Sequence, residues 1–364
     1  MTPGRGGRTA RMNVALFLPN WVGDAVMATP AIRALRRQFP SSRIVGVLRP
    51  YIADVFGGSG WFDELIHLDP KGTKTQHWPA VAAQLRRRQI DLAVLFPNSF
   101  HSALTAWLGR CRERVGYALH GRALLLTRTP AWECDAQGRR IPSPIVDAYN
   151  HLARAAGCAH VDRRMQLFTT PDDETAANKV WSDNGFDASK EFVCLSPGAA
   201  FGAAKHWPSS SFAELARHFR DERGSQVLVL CGPKERELAR AIVQEAGRPA
   251  VASLADGDVS LGLTKACIRR SDLLVTTDSG PRHFATAFDR PVVTLFGPTH
   301  IAWTETFHPL GVNLQKQVAC GPCQLRRCPV DHRCMTLLTP REVYDASVRL
   351  LAKAAPSREA SCPI

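Results

Sequence analysis

Short apolar runs alternate with longer amphipathic stretches along most of this chain. Each run has the length of a β-strand, and the runs at 92–96, 273–277 and 291–296 are followed directly by Pro, Asp or Gly. The stretches between the runs show the period of about 3.6 that is typical of helices. Strands that alternate with helices of ten or more residues predict parallel sheets covered by helices. The runs predicted as strands are 13–18, 43–48, 92–96, 192–195, 226–230, 273–277 and 291–296.

The repeated pattern predicts two Rossmann-like halves, 12–170 and 191–340. A polar segment with an acidic start, 171–190, is expected to link them, and a last helix is expected at 341–354. The ends of the chain, 1–11 and 355–364, are expected to be disordered. Halves of this type bind ligands beyond the carboxyl ends of their strands, so the loops that follow strands should carry the function.

The charge balance favours anionic partners. The 364 residues include 46 Lys+Arg against 33 Asp+Glu, a formal net charge of +13, and 37 of the basic residues are Arg. Guanidinium groups bind carboxylate and phosphate bidentately, although an Arg-rich solvated surface alone would give the same count. The basic residues are not interleaved with aromatic residues on one segment, which disfavours nucleic acid. A phosphorylated substrate and an anionic membrane surface both fit, and no apolar run approaches the ~20 residues of a membrane-spanning helix.

The strongest local signal follows the sixth predicted strand. This strand runs into Asp278, Ser279, Gly280 and Pro281, where a helix is predicted to begin. Glycine lets a ligand approach the backbone closely, and the free N–H groups of a helix start favour a phosphate. The alternative is that Asp278 or Ser279 only caps the helix. His283 could equally be a core histidine.

Two further loops carry candidate residues. Ser196 and Gly198 belong to a loop of small residues that places Lys205 just before a helix, where one lysine could neutralise a diphosphate. The alternative is an exposed loop lysine. In the first loop Asp24 follows Gly23 at a helix start, where capping is the commoner role and general-base chemistry the other. Neither loop carries the glycine pattern of a dinucleotide- or NTP-binding motif.

The cysteines indicate a reducing compartment. There are eleven, and the apolar run at 14–18 after the basic start is too short for a secretory signal. Four of them, Cys320, Cys323, Cys328 and Cys334, form a compact cluster that could hold a structural zinc ion. The spacing is not that of a standard two-knuckle site, so the sequence leaves this open.

These residues resemble the ADP-heptose:lipopolysaccharide heptosyltransferase family (glycosyltransferase family 9), and most of all its heptosyltransferase II branch. The resemblance is carried by PNWVGDAVMATPAIRALRRQFP, SPGAAFGAAKHWP and TTDSGPRHFATAFDRPVVTLFGPTH, and it extends from about Met12 to about Leu350. It implies an α/β GT-B fold in which two Rossmann-like domains face a cleft. The acceptor-binding domain would be 12–170 and the nucleotide-sugar-binding domain 191–340. It also implies an inverting transferase that requires neither a metal nor another cofactor.

The resemblance also implies roles for the candidate residues. Asp24 is the expected general base, and Lys205 is expected to contact the donor phosphates. The D-[ST]-G-x-x-H stretch is expected to bind the diphosphate and the heptose, and the turn after the fourth predicted strand would border the same site. The implied donor-binding residues are Ser196, Gly198, Lys205, Asp278, Ser279, Gly280, Pro281 and His283.

The implied partners are ADP-heptose and a phosphorylated Kdo-lipid A glycolipid. Transfer to heptosyl-Kdo2-lipid A would serve lipopolysaccharide biosynthesis, in the cytoplasm and in peripheral contact with the anionic inner face of the inner membrane. One alternative is a related GT-B transferase with a different sugar donor or acceptor. Another is a catalytically silent nucleotide-sugar-binding protein, which the intact set of Asp24, Lys205 and His283 disfavours. No motif locates the acceptor site; the candidates are Arg110, Arg112, Arg114, Arg122 and Arg128.

Overall fold

The computed structural model describes residues 12–132, 134–137 and 141–359, with the backbone alone for 356–359. The chain divides into two units between Met165 and Gln166. Each unit is built around one parallel β-sheet. The segment 1–11, and residues 360–364 of the expected disordered tail, lie outside the described residues.

Among its described residues, the first unit contains a five-stranded sheet and five α-helices. Its strands are β1 (Asn13–Phe17), β2 (Arg43–Leu48), β3 (Glu64–His67), β4 (Leu92–Leu95) and β5 (Glu113–Val115). Its helices are α1 (Val22–Met27), α2 (Thr29–Gln38), α3 (Trp78–Arg87), α4 (Phe100–Leu108) and α5 (Ile145–Ala155). The strand order is β3-β2-β1-β4-β5, with every pair parallel. One core cluster joins Phe17 of β1 with Leu85 of α3 and Ala103 of α4.

The single helix predicted after β1 is interrupted. Pro30 has no backbone N–H, so it cannot donate to the carbonyl of Val26 four residues before it. The hydroxyl of Thr29 donates to that carbonyl instead, at 2.7 Å. Helix α1 therefore ends at Met27, and α2 begins at Thr29.

The second unit contains a six-stranded parallel sheet. Its strands are β6 (Phe192–Ser196), β7 (Gln226–Val229), β8 (Val251–Ser253), β9 (Leu273–Thr277), β10 (Val292–Phe296) and β11 (Gly311–Gln315). Its helices are α6 (Pro171–Asp183), α7 (Ser209–Arg223), α8 (Arg236–Ala246), α9 (Leu261–Arg270), α10 (Gly280–Ala287), α11 (Arg333–Thr336) and α12 (Pro340–Glu359). The strand order is β11-β10-β9-β6-β7-β8. Every residue of β6, β9 and β10 is buried, as expected for central strands of a covered sheet.

The structure confirms the seven predicted strands and corrects two other predictions. The segment expected as a linker, 171–190, contains helix α6. Its start is fixed by a capping box in which Thr170 and Asp173 exchange side-chain to backbone hydrogen bonds of 2.9 and 3.2 Å. The last helix runs to Glu359, five residues past the predicted end, and Ala355, a strong helix former, continues it beyond Ala354.

Candidate functional site

The predicted donor-site residues lie where the strand order of the second sheet reverses. Strand β6 pairs with β7 on one side and with β9 on the other. The chain runs from β6 out to β8 and then returns to β9, so the reversal falls between β6 and β9. Open parallel sheets bind ligands beyond the carboxyl ends of their strands at such a reversal. The loops that follow β6 and β9 carry Lys205 and Asp278, respectively.

Lys205 is buried and paired with Asp278. It ends a short 3-10 helix, Ala203–Lys205, and only 9 % of it is exposed. Its Nζ donates to the backbone oxygen of Asp278 at 2.8 Å and to the carboxylate Oδ2 at 2.5 Å. The same Nζ lies 4.9 Å from the centre of the Phe201 ring. The alternative of an exposed loop lysine is therefore wrong.

Arg282 adds a second cation that the sequence analysis missed. Its Nη1 lies 3.3 Å from Oδ1 of Asp278 and donates to Oγ1 of Thr304 at 2.8 Å. The guanidinium lies over the ring of Phe296, 4.9 Å from its centre, and the residue is buried. The signal for it was its position in the first turn of the predicted helix, four residues after Asp278, which lies just before the N-cap Ser279.

Within hydrogen-bonding distance, the cluster holds two cations against one carboxylate, Asp278, while the charge of Glu305 acts on Arg282 from further away. Burial alone would raise the pKa of Asp278, but the charges of Lys205 and Arg282, together with hydrogen bonds from Lys205 and Thr299, lower it to about 2. Asp278 is therefore ionised, and it neutralises only one of the two cations. A charge taken out of water costs free energy unless it is paired. The surplus positive charge of this cluster therefore favours a bound anion.

The loop after β6 passes close to a carboxylate. A Cβ atom at Gly198 would lie 2.0 Å from Oε1 of Glu235, so only glycine fits this position without a shift of that side chain. Oε2 of Glu235 accepts a hydrogen bond from the backbone N–H of Gly232 at 2.8 Å. The Thr277 hydroxyl donates to the carbonyl of Gly198 at 2.7 Å and so joins the loop after β6 to the end of β9. Glu235 is a second residue that the sequence analysis missed.

Helix α10 begins inside the same cluster. Ser279 is its N-cap residue, but the side chain makes no capping hydrogen bond, and its Oγ lies 3.3 Å from Oγ1 of Thr276 instead. Gly280 and Pro281 are its first two residues. His283 is buried, and its Nδ1 has no hydrogen-bond partner among the described residues. Burial and the nearby Arg282 charge lower the pKa of His283 well below 6.5, so its ring is neutral at pH 7.

Asp24 lies at the equivalent edge of the first sheet. There the strand order reverses between β1 and β4, and Asp24 follows β1 as the third residue of α1. The N-cap residue of α1 is Trp21, which makes no side-chain capping hydrogen bond. The half-buried Asp24 carboxylate is therefore in the first turn of the helix and not at the cap position that was the commoner expectation.

The five candidate arginines of the first unit differ in environment. Arg110 is exposed, and Arg112 and Arg128 form ion pairs near the surface. Arg114 donates to backbone carbonyls. Arg122 is fully buried, which the sequence did not indicate.

The four clustered cysteines have free thiols. Within the described residues, which include all four, no group of three or more His, Cys, Asp or Glu side chains is placed to hold a metal ion. The zinc hypothesis therefore gains no support from the geometry.

Among all the residues that the structure describes, no helix is both long enough and apolar enough to cross a membrane.

Two parallel-sheet units, one of them with a cationic cluster at its strand-order reversal, define a two-domain α/β protein with a candidate anion-binding site. The family model of glycosyltransferase family 9 (heptosyltransferase) matches residues 78–333, and the chain belongs to this family. It is therefore a glycosyltransferase, as the sequence predicted. Asp24 lies before the matched segment.

Individual relatives agree with this assignment. Lipopolysaccharide heptosyltransferase 2 of Escherichia coli is 28 % identical over 309 residues, which cover 79 % of this chain and 83 % of that protein. Lipooligosaccharide heptosyltransferase 2 of Campylobacter jejuni is 25 % identical over 93 % of this chain and 99 % of its own length. The solved structure of E. coli ADP-heptose LPS heptosyltransferase II superimposes with a TM-score of 0.77 at 24 % identity, covering 94 % of this chain and all of that one. The predicted α/β GT-B fold is confirmed.

Proposed function

We propose that the protein transfers heptose from ADP-L-glycero-β-D-manno-heptose to heptosyl-Kdo2-lipid A in lipopolysaccharide core biosynthesis. The observation that carries the proposal is the buried cluster of Lys205, Asp278 and Arg282, whose surplus positive charge suits the diphosphate of a nucleotide sugar. The E. coli and C. jejuni relatives, which are a lipopolysaccharide and a lipooligosaccharide heptosyltransferase 2, support the choice of sugar and acceptor class.

The donor diphosphate binds at the start of helix α10. Two hydrogen bonds hold Lys205 Nζ to Asp278, which leaves one of its three N–H donors for a phosphate oxygen. The backbone N–H groups at Ser279, Gly280 and the following turn add to the attraction, because the N-terminal end of a helix favours anions. Asp278 contributes by positioning Lys205 and Arg282, since both of its carboxylate oxygens already have partners.

The rest of the donor lies along the loops after β6 and β7. Ser196 and Gly198 border the nucleoside, and Glu235 follows the second strand of this unit, the position from which a carboxylate binds the ribose hydroxyls in Rossmann-like folds. His283 supplies an unused, neutral ring nitrogen for the heptose or the diphosphate. Pro281 orients the first turn of the helix.

The reaction is a single displacement with inversion at the anomeric carbon. Asp24 accepts the proton of an acceptor hydroxyl, and the hydroxyl oxygen forms a bond to the anomeric carbon as the bond from that carbon to the diphosphate oxygen breaks. ADP leaves with the electron pair of the broken bond. Lys205 and the start of helix α10 stabilise its charge, so the step requires no metal ion.

The acceptor determines where the enzyme works. A phosphorylated Kdo-lipid A glycolipid is anchored in a bilayer, so we place the protein in the cytoplasm, in peripheral contact with the inner face of the inner membrane. The net charge of +13 supports contact with an anionic surface.

The proposal is tested with purified protein, ADP-heptose and heptosyl-Kdo2-lipid A, by following ADP release with and without acceptor. Release that depends on the acceptor is expected. The Asp24→Asn variant should lose transfer but keep its affinity for ADP, because the donor residues are untouched. Asp54→Asn is the matched control, since Asp54 is an exposed carboxylate of the same unit.

Two outcomes would count against the proposal. Full activity in Asp24→Asn would remove the assigned base. A folded wild-type protein that transfers sugar only from another nucleotide sugar, or only to another acceptor, would establish the related transferase instead. Binding of nucleotide sugar without turnover would establish the silent protein.

A further inference from the structure

Helix α4 carries apolar side chains on its outer face. The residues that recur there at the spacing of one helix face are Phe100, Leu104, Trp107 and Leu108. Trp107 is 48 % exposed, and Phe100 and Leu108 are exposed as well. On the inner face of the same helix, Ala106 belongs to the core of the first unit. Adjacent exposed apolar side chains of this kind mark a surface that contacts a partner or a membrane.

A surface cavity of about 520 Å³ lies at the C-terminal end of this face. Its lining combines three arginines with three apolar side chains: Arg86, Arg110, Arg114, Trp107, Leu108 and Cys111. None of the described carboxylates lines the cavity or forms an ion pair with one of these arginines. Glu113, next to Arg114 in the chain, pairs with Arg128 instead at 2.6 Å. The cavity is therefore both apolar and positively charged.

The backbone brings the two kinds of side chain together. Gly109 ends α4, and a Cβ there would lie 3.0 Å from Cβ of Leu85, so the glycine lets the end of α3 approach the end of α4. Arg110 follows with a φ of 53°, at a position after a helix where glycine is the usual residue. A side chain in this conformation costs free energy. The arginine is therefore kept at this position at a cost to the fold.

The cavity and the Asp24 loop lie at opposite edges of the first sheet. Helix α3 ends before β4 begins and α4 ends before β5 begins, so both helix ends lie where these parallel strands start. Asp24 follows β1 at the other edge, and α4 starts at that edge, after β4. Arg110 and Arg114, two of the candidates for the acceptor site, therefore belong to a different surface. The apolar face of α4 extends from one edge to the other.

We propose that the outer face of α4 and this cavity form the surface by which the protein docks on anionic phospholipid. The three arginines contact the lipid phosphates, while Trp107 and Leu108 enter the layer just below the headgroups. Tryptophan is typical of that layer, and an arginine keeps its charged end in the polar region. Cations without carboxylate partners match the negative surface of a bilayer, whereas a second copy of this face would repel them. The inference rests on the proposed function, which places the protein at such a surface.

Two arginine pairs separate this surface from the overall charge. Arg86→Gln/Arg110→Gln removes two of the three charges around the cavity. The matched control is Arg37→Gln/Arg154→Gln, which lowers the net charge equally on α2 and α5, two helices that pack against each other. Trp107→Ala tests the apolar part. All five positions are exposed, so we expect wild-type circular dichroism and unchanged ADP affinity in every variant.

The measurement is co-sedimentation of the full chain with vesicles that contain neither donor nor acceptor. Binding is expected to vesicles of phosphatidylcholine with phosphatidylglycerol and not to phosphatidylcholine alone. An arginine near an anionic surface contributes about 5-fold in affinity, so Arg86→Gln/Arg110→Gln should bind about 30-fold more weakly than the wild type. Trp107→Ala should bind about 10-fold more weakly, because its ring no longer leaves water. The control pair should stay within about 3-fold of the wild type, since charges beyond a Debye length are screened.

Three results would overturn the inference. Equal losses in the two arginine pairs would show a general effect of net charge, and wild-type affinity in Trp107→Ala would remove the apolar contact. A wild-type dimer that Trp107→Ala dissociates in analytical ultracentrifugation would show that a second copy covers this face.

The vesicle result is independent of heptose transfer, because the vesicles contain no glycolipid. A chain that docks as expected but transfers no heptose would contradict the proposed function and leave the docking surface intact. A chain that transfers heptose but does not bind the anionic vesicles would contradict the docking surface alone.

Discussion

Replacement of Lys205 by methionine tests the cluster on which the donor site depends. The change removes the two hydrogen bonds from Nζ to Asp278, of 2.8 and 2.5 Å, and leaves a carboxylate that is 5 % exposed with Thr299 and Arg282 as partners. Removal of one member of a buried ion pair costs ~3–5 kcal/mol. Since two partners remain, we expect a loss of about 3 kcal/mol in the free energy of unfolding.

The double variant Lys205→Met/Asp278→Asn separates the pair energy from other losses. In the double variant neither position 205 nor position 278 is charged, so the lysine replacement leaves no carboxylate unpaired. Its free energy of unfolding should therefore be about 1–2 kcal/mol higher than the sum of the two single losses predicts. Urea unfolding followed by tryptophan fluorescence measures this, since Trp207 is buried in the same unit. Additivity of the two changes within about 0.5 kcal/mol would refute the paired arrangement.

The single variant Lys205→Met should also bind ADP less tightly than the wild type does. A hydrogen bond to a charged group contributes ~1.5–3 kcal/mol, so calorimetric titration should show a loss of about 10- to 100-fold. Lys265→Met is the matched control. Lys265 is also fully buried, with its Nζ 2.8 Å from the carbonyl of Phe168 and 3.5 Å from Asp173. Its replacement should lower stability and leave ADP affinity unchanged, and an equal loss of affinity in both variants would contradict the assignment.

Three further predictions concern the donor site. Gly198→Ala should weaken ADP binding in calorimetry, because its Cβ would lie 2.0 Å from the Glu235 carboxylate oxygen; unchanged affinity would show that Glu235 moves freely. The pKa of Asp278 falls from 3.8 in the unfolded chain to about 2 in the folded chain. The ionised carboxylate should therefore stabilise the fold by about 2 kcal/mol above pH 4, and this contribution should disappear between about pH 4 and pH 2. Acid unfolding of Asp278→Asn should lack that component. Transfer should persist in EDTA, and a loss restored by magnesium would contradict the metal-independent step.

The sequence predicted the central strands because each is a short, mostly apolar run. It did not predict the four edge strands, β3, β5, β8 and β11, which are short or mostly half-buried, so their apolar pattern is weak. Helix α6 was missed although its signal was present: Thr170 and Asp173 have the spacing of a capping box, and we interpreted the acidic start as linker composition.

The sequence identified the loops that form the candidate site but not the contacts between their side chains. Residues next to a strand end could be singled out, and the structure brings Lys205 and Asp278 together although they are 73 positions apart. The charge partner Arg282 was not recognised, and the burial of Arg122 was not foreseen, because a buried arginine and a surface arginine look alike in a sequence with 37 of them. Glu235 was missed for a related reason, since its proximity to Gly198 depends on how β6 and β7 pair.

The most direct test of the account is the mass of the acceptor after incubation of the purified protein with ADP-heptose and heptosyl-Kdo2-lipid A. We predict that the acceptor gains the mass of one heptose, with one ADP released per heptose added, and that Asp24→Asn gives no such product. An acceptor of unchanged mass, recovered from a folded protein that binds ADP-heptose, would contradict the proposed transfer.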